Sequence, residues 1–330
     1  VLGAGGLGCP ALLYLAAAGV GRLGIVDPDT VSLSNLQRQI LFTREDLGQP
    51  KVDAAARRLR ALYPELQPDL HPTAFTAANA LQIAESYDVI LDGSDNFPTR
   101  YLSSDTAFWL KKPLIYGSIH QFEGQVSVFA PHLGAPCYRC MFPVPPAPGT
   151  VPDCNTAGVL GVLAGLIGTL QAAEAIKLLT QHGEPLLGRL LHADTLGTRF
   201  REFKIRRDPA CPVCGENPSI AAPIDYQHFC GFTPAETQLE LPPSQLEAAR
   251  TTHFLLDVRE PWEHALLPFP ADHWIPWQDL PSQLPTLPSA RPILTLCRVG
   301  LRSHEAARLL RQNGYPHTLS LAGGLEALET

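Results

Sequence analysis

Six residues near the start of the chain, Gly3-Ala4-Gly5-Gly6-Leu7-Gly8, restrict the fold more than any other stretch. They fit Gly-x-Gly-x-x-Gly, an apolar helix-like run over 10–18 follows, and Gly24-Ile25-Val26-Asp27 reads as a second strand ending in a carboxylate. Glycines at this spacing let a backbone approach phosphate, the N-terminus of the next helix favours the anion, and an acid about 20 residues on accepts ribose hydroxyls. The pattern predicts a βαβ nucleotide-binding start with Asp27 toward the ribose. Alone it would suit a nicotinamide or flavin enzyme. The balance changes with Asn35-Leu36-Gln37-Arg38-Gln39 and, further on, Lys51. A dinucleotide site has little use for two cations there. A triphosphate losing pyrophosphate does, because guanidinium and ammonium stabilise charge on the leaving group.

Downstream, 51–63 carries apolar positions at helical spacing among arginines, a helix covering one side of a parallel sheet. Tyr87-Asp88-Val89-Ile90-Leu91 is a short apolar strand running into Asp92-Gly93-Ser94-Asp95-Asn96, which puts Asp95 in the crevice at the carboxyl ends of the strands. A carboxylate there either holds magnesium against phosphates or, as Asn96 also could, caps the helix from 99 onward. Further strands are expected over 114–118 and 125–129.

Cys137-Tyr138-Arg139-Cys140 and Cys211-Pro212-Val213-Cys214 are two Cys-x-x-Cys knuckles, the spacing of a four-thiolate zinc site. A closed sulfur shell leaves no position for water, so such a site is structural; a redox pair would need a thioredoxin-like strand-to-helix setting that neither knuckle has. The proline-rich stretch 143–152 reads as a mobile loop ending at Asp153-Cys154-Asn155. A thiolate at Cys154, just ahead of a helix starting near Ala157, would gain from the helix N-terminus; an ordinary loop residue is the alternative. The run 157–170 is small or apolar apart from Thr169, too short for a membrane span, and reads as a core or dimer helix in which Gly161, Gly165 and Gly168 allow close packing.

Prolines at 218, 223 and 234 mark a linker over 218–235 between a domain at 1–217 and a second at 236–330, and a chain of 330 residues is long enough for two. In the second, Phe254-Leu255-Leu256-Asp257-Val258-Arg259-Glu260 and Ile293-Leu294-Thr295-Leu296-Cys297 read as buried strands. The latter leads into Arg298-Val299-Gly300-Leu301-Arg302-Ser303 and an amphipathic helix through 313. A cysteine leaving a strand into such a curl presents its sulfur to a ring of backbone amides, which stabilises a thiolate or persulfide, with Arg298 or Arg302 adding positive charge. A Cys-x5-Arg phosphatase loop is the structural cousin; with Arg302 only five places after Cys297 the ring is too short for phosphate, and sulfur transfer is the better reading.

The net charge of −7 argues against nucleic acid or an anionic membrane as partner. Cysteines spaced for metal and for reactive thiols fit a reducing, cytoplasmic setting.

Together with Asp27-Pro28-Asp29, Ser34-Asn35 and Gly48-Gln49-Pro50-Lys51, these motifs resemble the MoeB/ThiF family over 1 to about 217. These are bacterial relatives of ubiquitin-activating enzymes. The resemblance implies an α/β fold, a Rossmann-like adenylation domain with a mostly parallel sheet, that uses ATP and Mg2+ to adenylate the C-terminal glycine of a ubiquitin-like sulfur-carrier protein ending in Gly-Gly, as a homodimer. It adds Gly5, Gly6, Ser34, Asn35 and Asn96 to Asp27, Arg38, Lys51 and Asp95 as nucleotide-site residues, with Arg38 and Asp95 catalytic, and aligns Cys154 with a cysteine that in eukaryotic-type members joins covalently to the activated carrier. Family members carry helices ahead of the first strand, with an arginine reaching the partner's ATP site; a protein starting at Val1 is expected to bind ATP but adenylate slowly.

From about 233 to the end the chain resembles the rhodanese family of small α/β sulfurtransferases, through Asp257-Val258-Arg259-Glu260, the Cys297 loop and the closing turn Ala322-Gly323-Gly324. It departs from that family's His-Ile-Pro-Gly-Ala element at Leu267-Pro268-Phe269-Pro270-Ala271. The two resemblances imply an acyl adenylate opened by persulfide sulfur on Cys297. The product would be a thiocarboxylated carrier for molybdopterin, thiamine or tRNA thiolation, with thiosulfate or a cysteine desulfurase as sulfur donor. A non-catalytic carrier-docking scaffold is the alternative; an NAD-dependent oxidoreductase leaves Arg38, Lys51, both knuckles and the cysteine loop without purpose.

Overall fold

Leu2 is the pivot of the first sheet: it bridges in parallel both to Val26 of β1 (Gly24–Val26) and to Asp92 of β3 (Ile90–Asp92). That single residue joins the parallel pair β1 and β2 (Asp69–His71) to β3 and β4 (Leu114–His120), which also run parallel. The far half is antiparallel: β5 (Glu123–Phe129), β6 (Arg189–Asp194) and β7 (Arg199–Lys204) follow in order. Short turns dictate the β4–β5 and β6–β7 pairings. His120 pairs with Glu123 and Asp194 with Arg199, connections far too short for the crossover a parallel pair needs. The parallel sheet read from the sequence therefore describes the half that carries the glycine loop, and the other half is a meander.

This computed structural model describes residues 1–146, 158–231, 239–288 and 291–328. Cys154, and the stretch 147–157 that holds it, lie outside the described residues. The chain divides into two units, Val1–Cys230 and Gly231–Thr330.

The apolar run read at 157–170 enters a helix only at Gly161, past the start near Ala157 expected from the sequence, since 158–160 are not helical. The helix, Gly161–Thr180, continues beyond the run and buries Leu163, Ala164, Ile167, Gln171, Ala172 and Ala175. It is long and apolar enough to cross a membrane by composition, yet it packs on β4, β5 and the helix Gly8–Ala17. Gly168 permits this: a Cβ there would lie 2.2 Å from the Leu7 carbonyl oxygen. Gly161 approaches the Gln37 carbonyl in the same way, whereas Gly165 faces open space. Buried Gln171 donates to the Asp92 carbonyl at 2.7 Å, fixing the helix over the strand end that leads to Asp95.

Residues 218–230, read in the sequence as part of a linker, pack within the first unit. Asp225 caps the short helix Tyr226–Phe229, Tyr226 and Cys230 are buried, and the Tyr226 hydroxyl donates to Asp105 at 2.9 Å. The same carboxylate receives Arg139 through Nε at 2.9 Å and Nη2 at 2.8 Å. Asp105 and Arg139 are both buried, and Phe229 and Tyr101 stack on the guanidinium. Arg139 lies between Cys137 and Cys140, so this ion pair ties a cysteine knuckle to the helix Phe97–Trp109. Removing one partner of a buried pair leaves an uncompensated charge, so Asp105→Ala should destabilise the first unit by about 3–5 kcal/mol. A urea midpoint unchanged within error would contradict this.

The second unit has a five-stranded, all-parallel sheet in the order β10 (His273–Trp274), β9 (Phe254–Asp257), β11 (Ile293–Leu296), β12 (Leu319–Leu321), β8 (Glu240–Leu241). The Asp-Val-Arg-Glu motif serves as a latch. Arg259 forks onto Asp257 with Nη2 at 2.6 Å, both buried, and its Nη1 reaches the Leu267 carbonyl at 2.7 Å. Glu260 caps the helix Pro261–Leu266.

Candidate functional site

At the carboxyl ends of the parallel strands lies a cavity of about 460 Å³, lined by Gly3, Gly5, Gly6, Asp27, Asp29, Arg38, Lys51, Asp95, Asn96 and Arg100 among others. The size suits a nucleotide, and the place follows the rule for open α/β sheets. Two glycines build the loop by different constraints. Gly3 has φ +88°, and a Cβ on Gly8 would fall 1.8 Å from the Gly3 carbonyl oxygen. Gly5 and Gly6 are then left to face the cavity.

Asp27 is buried and accepts the Ala4 and Asp29 amides, one on each oxygen, at 2.7 and 2.9 Å. Burial pushes its carboxyl above the usual range, while Lys51 and these amides pull it back. Each oxygen keeps a lone pair for a ribose hydroxyl. Lys51 lies 3.9 Å from Asp27 and forms its closer pair, 2.8 Å, with Asp29, the second acid of Asp27-Pro28-Asp29. Arg38 is buried beside Gly6.

Ser34 and Asn35, assigned to the nucleotide by resemblance, do not line the cavity. Ser34 meets Ser32 hydroxyl to hydroxyl, and the Asn35 side chain accepts the Ser32 amide. They shape the turn that delivers Arg38, whose Nη1 donates to the Ser34 carbonyl at 3.3 Å. The two readings of the Asp95 turn separate as well. Asn96 caps the helix Phe97–Trp109 by accepting the Thr99 amide at 2.9 Å, and Asp95 stays exposed on the cavity wall.

The four knuckle cysteines converge, their sulfurs all within 4.8 Å of one another. Sγ separations are 3.7 Å for Cys137–Cys140, 3.5 Å for Cys137–Cys211 and 3.3 Å for Cys140–Cys214. Sulfurs about 2.3 Å from a tetrahedral zinc lie about 3.8 Å apart, so the donor set fits that ion in number, type and spacing.

In the second unit, Cys297 is buried, and its Sγ accepts the amides of Gly300 at 3.2 Å and Ser303 at 3.4 Å. Gly300 has φ +90°, and a Cβ there would meet the Gly323 amide at 2.9 Å, so the Gly323-Gly324 turn closes directly over the loop. Ser303, also buried, contacts the sulfur at 3.4 Å and receives the Ser320 hydroxyl at 2.9 Å. Both arginines read as charge for the sulfur are held by acids: Arg298 by Glu326 at 2.7 Å, Arg302 by Glu263 at 2.6 Å. The direct contacts of the sulfur are thus amides and a hydroxyl, the arginines standing behind them.

A nucleotide-sized cavity over a glycine loop with two cations, in a unit that also gathers four thiols, defines an α/β nucleotide-binding unit; the second unit is of the cysteine-loop sulfurtransferase class. Residues 1–213 match the ThiF family and 243–330 the rhodanese-like domain, and the chain belongs to the ThiF family. It is 54% identical over 236 residues to the sulfur carrier protein adenylyltransferase of Thermus thermophilus, covering 70% of this chain and 87% of that one. It is 40% identical to the adenylyltransferase and sulfurtransferase MOCS3 of Arabidopsis thaliana, covering 99% of this chain and 77% of that one. The probable adenylyltransferase/sulfurtransferase MoeZ of Mycobacterium tuberculosis is also 40% identical, with 99% and 85% covered. Among solved structures, E. coli MccB with MccA-N7isoASN aligns at a TM-score of 0.59 and 22% identity over 65% of this chain and 66% of that one, a likeness of fold.

Proposed function

We propose that the first unit adenylates the C-terminal glycine of a ubiquitin-like sulfur-carrier protein ending in Gly-Gly and that Cys297 of the second unit supplies the sulfur that converts it to a thiocarboxylate. The observation that carries the reading is the convergence of Asp27, Arg38, Lys51 and Asp95 on one cavity beside Gly5 and Gly6. The carrier carboxylate attacks the α-phosphate of ATP, and pyrophosphate leaves. Asp27 orients the ribose, Gly5 and Gly6 admit the phosphates, and Arg38 and Lys51 take up charge on the leaving group. Asp95 would hold Mg2+, which when bound neutralises phosphate charge. The outer sulfur of a Cys297 persulfide then displaces AMP from the acyl carbon to form an acyl disulfide. A second thiol attacks the Cys297 sulfur, releasing the thiocarboxylate and leaving a Cys297 disulfide that an external reducing thiol returns to free cysteine. Cys154 either takes up the carrier, as the resemblance implies, or serves as that second thiol. Thiosulfate or a cysteine desulfurase persulfide would reload Cys297. The resident copy number is two, as a homodimer, and the setting cytoplasmic. Exchange of labelled pyrophosphate into ATP that depends on an added carrier tests the reading. Exchange without the carrier, or none with several carriers, would contradict it.

The four-cysteine cluster would hold Zn2+ as a structural ion. Metal analysis should find close to one zinc per chain. Cys211→Ser with Cys214→Ser should remove it and loosen the first unit, and stoichiometric zinc in that double variant would overturn the assignment.

A further inference from the structure

Arg100 is a buried cation on the cavity wall that neither motif nor spacing had marked. It leaves the helix Phe97–Trp109 below Asp95, is 8% exposed and lines the cavity. Its Nη2 reaches the Ser94 carbonyl only at 3.4 Å, and its Nε has no hydrogen-bond partner. The guanidinium lies over the rings of Phe97 and Tyr116, 5.5 and 5.8 Å from their centroids. Two other buried arginines are paired with acids, Arg139 with Asp105 and Arg259 with Asp257. Arg100 has no acid within ion-pair distance among the described residues. Asp92, a buried carboxylate whose charge acts on Arg100 from a distance, is bound by the Ser94 amide and the hydroxyls of Ser94 and Ser103. Asp92 and Asp95 attract the guanidinium without pairing directly with it, and a buried guanidinium with no direct ion pair gains from an anion that arrives to meet it.

The sheet order indicates which anion. Asp27 follows β1 and the glycine loop follows Leu2, with Lys51 and Arg38 around them. Arg100 lies on the opposite side, against Ser94 after β3 and Tyr116 of β4. Attack at phosphorus and departure of the leaving group are in line, so an anion must be held on each side of the α-phosphate. Resting on the adenylation reading above, we infer that Arg100 binds the C-terminal carboxylate of the incoming carrier and orients it toward the α-phosphorus. In that step a carboxylate oxygen–phosphorus bond forms, the bond from the α-phosphorus to the bridging oxygen breaks, and its electron pair leaves on pyrophosphate. Arg100 changes neither charge nor proton count.

The test compares a recombinant Gly-Gly sulfur carrier with its free carboxylate against the same carrier as C-terminal amide, binding to protein saturated with a non-hydrolysable ATP analogue. Wild type should prefer the carboxylate by about tenfold or more, the worth of a charge-assisted hydrogen bond. Arg100→Met, close in volume and free of buried charge, should bring that preference to about one while changing affinity for the ATP analogue by less than about twofold. Arg100→Lys, which keeps the charge, should retain part of the preference and answers the question if the methionine variant does not fold. An undiminished preference in a folded methionine variant, a lysine variant that binds amide and carboxylate equally, or a loss of ATP-analogue affinity with the preference intact would overturn the inference and assign Arg100 to packing or to phosphate. Absence of carrier-dependent pyrophosphate exchange in wild type would instead remove the adenylation reading on which it rests.

Discussion

Alanine at Cys297 should abolish thiocarboxylate formation from thiosulfate while leaving carrier-dependent pyrophosphate exchange at the wild-type rate. The sulfur sits where two amides, from Gly300 and Ser303, and the Ser303 hydroxyl meet it. No neighbouring thiol in the second unit can replace it, since Cys297 is the only cysteine after Cys230. A persulfide adds a sulfur about 2 Å further out, which carries the transferable atom beyond the buried Sγ. Adenylation draws on residues of the other unit, so its rate is the internal control. Thiocarboxylate made at an undiminished rate by the alanine variant, with thiosulfate as sole sulfur source, would assign the second unit another purpose.

Alanine at Lys51 is expected to lower the rate of adenylation by about 10²–10³, the usual loss when a preorganised charge facing a developing anion is removed. Lys51 is buried against Asp27 and Asp29, so its ammonium already stands in place, at 2.8 Å from the Asp29 carboxylate. Deleting it costs more than one interaction. Two carboxylates would then confront a triphosphate without the cation that balances them. Arg38→Ala should fall in the same range by loss of its own charge on the leaving group. Initial exchange rates at saturating ATP check both, and activity within a factor of about three of wild type would remove either residue from the chemistry.

Much of this was legible in the sequence because its cause is local. The left-handed Gly3, the Gly8 that touches Gly3, the acid closing β1 and the Cys-x-x-Cys turns are each specified within a few residues. The antiparallel half of the sheet was legible only in part, since strands 114–118 and 125–129 were read without the tight turn that reverses the second. Missed features all depend on contacts between distant residues. Tyr226 meets Asp105 across 121 positions, which turns a proline-bearing stretch from apparent linker into wall. Ser303 takes its partner from Ser320 on the next strand. Arg100 reads in sequence as one more arginine on a helix; only burial on the cavity wall, packing against Tyr116 and an Nε without a hydrogen-bond partner among the described residues make it distinctive. Ser34 and Asn35, placed at the nucleotide by resemblance, turn their side chains to Ser32, a contact that spacing alone does not disclose.

The central claim is that one chain both activates a carboxylate and replaces its oxygen with sulfur. The direct test is the mass of the carrier after incubation with this protein, ATP, Mg2+, thiosulfate and a reducing thiol. The account predicts a carrier heavier by the difference between sulfur and oxygen, formed only when ATP is present and only when Cys297 is intact. A carrier unchanged in mass despite brisk pyrophosphate exchange, or a thiocarboxylate formed without ATP, would contradict it.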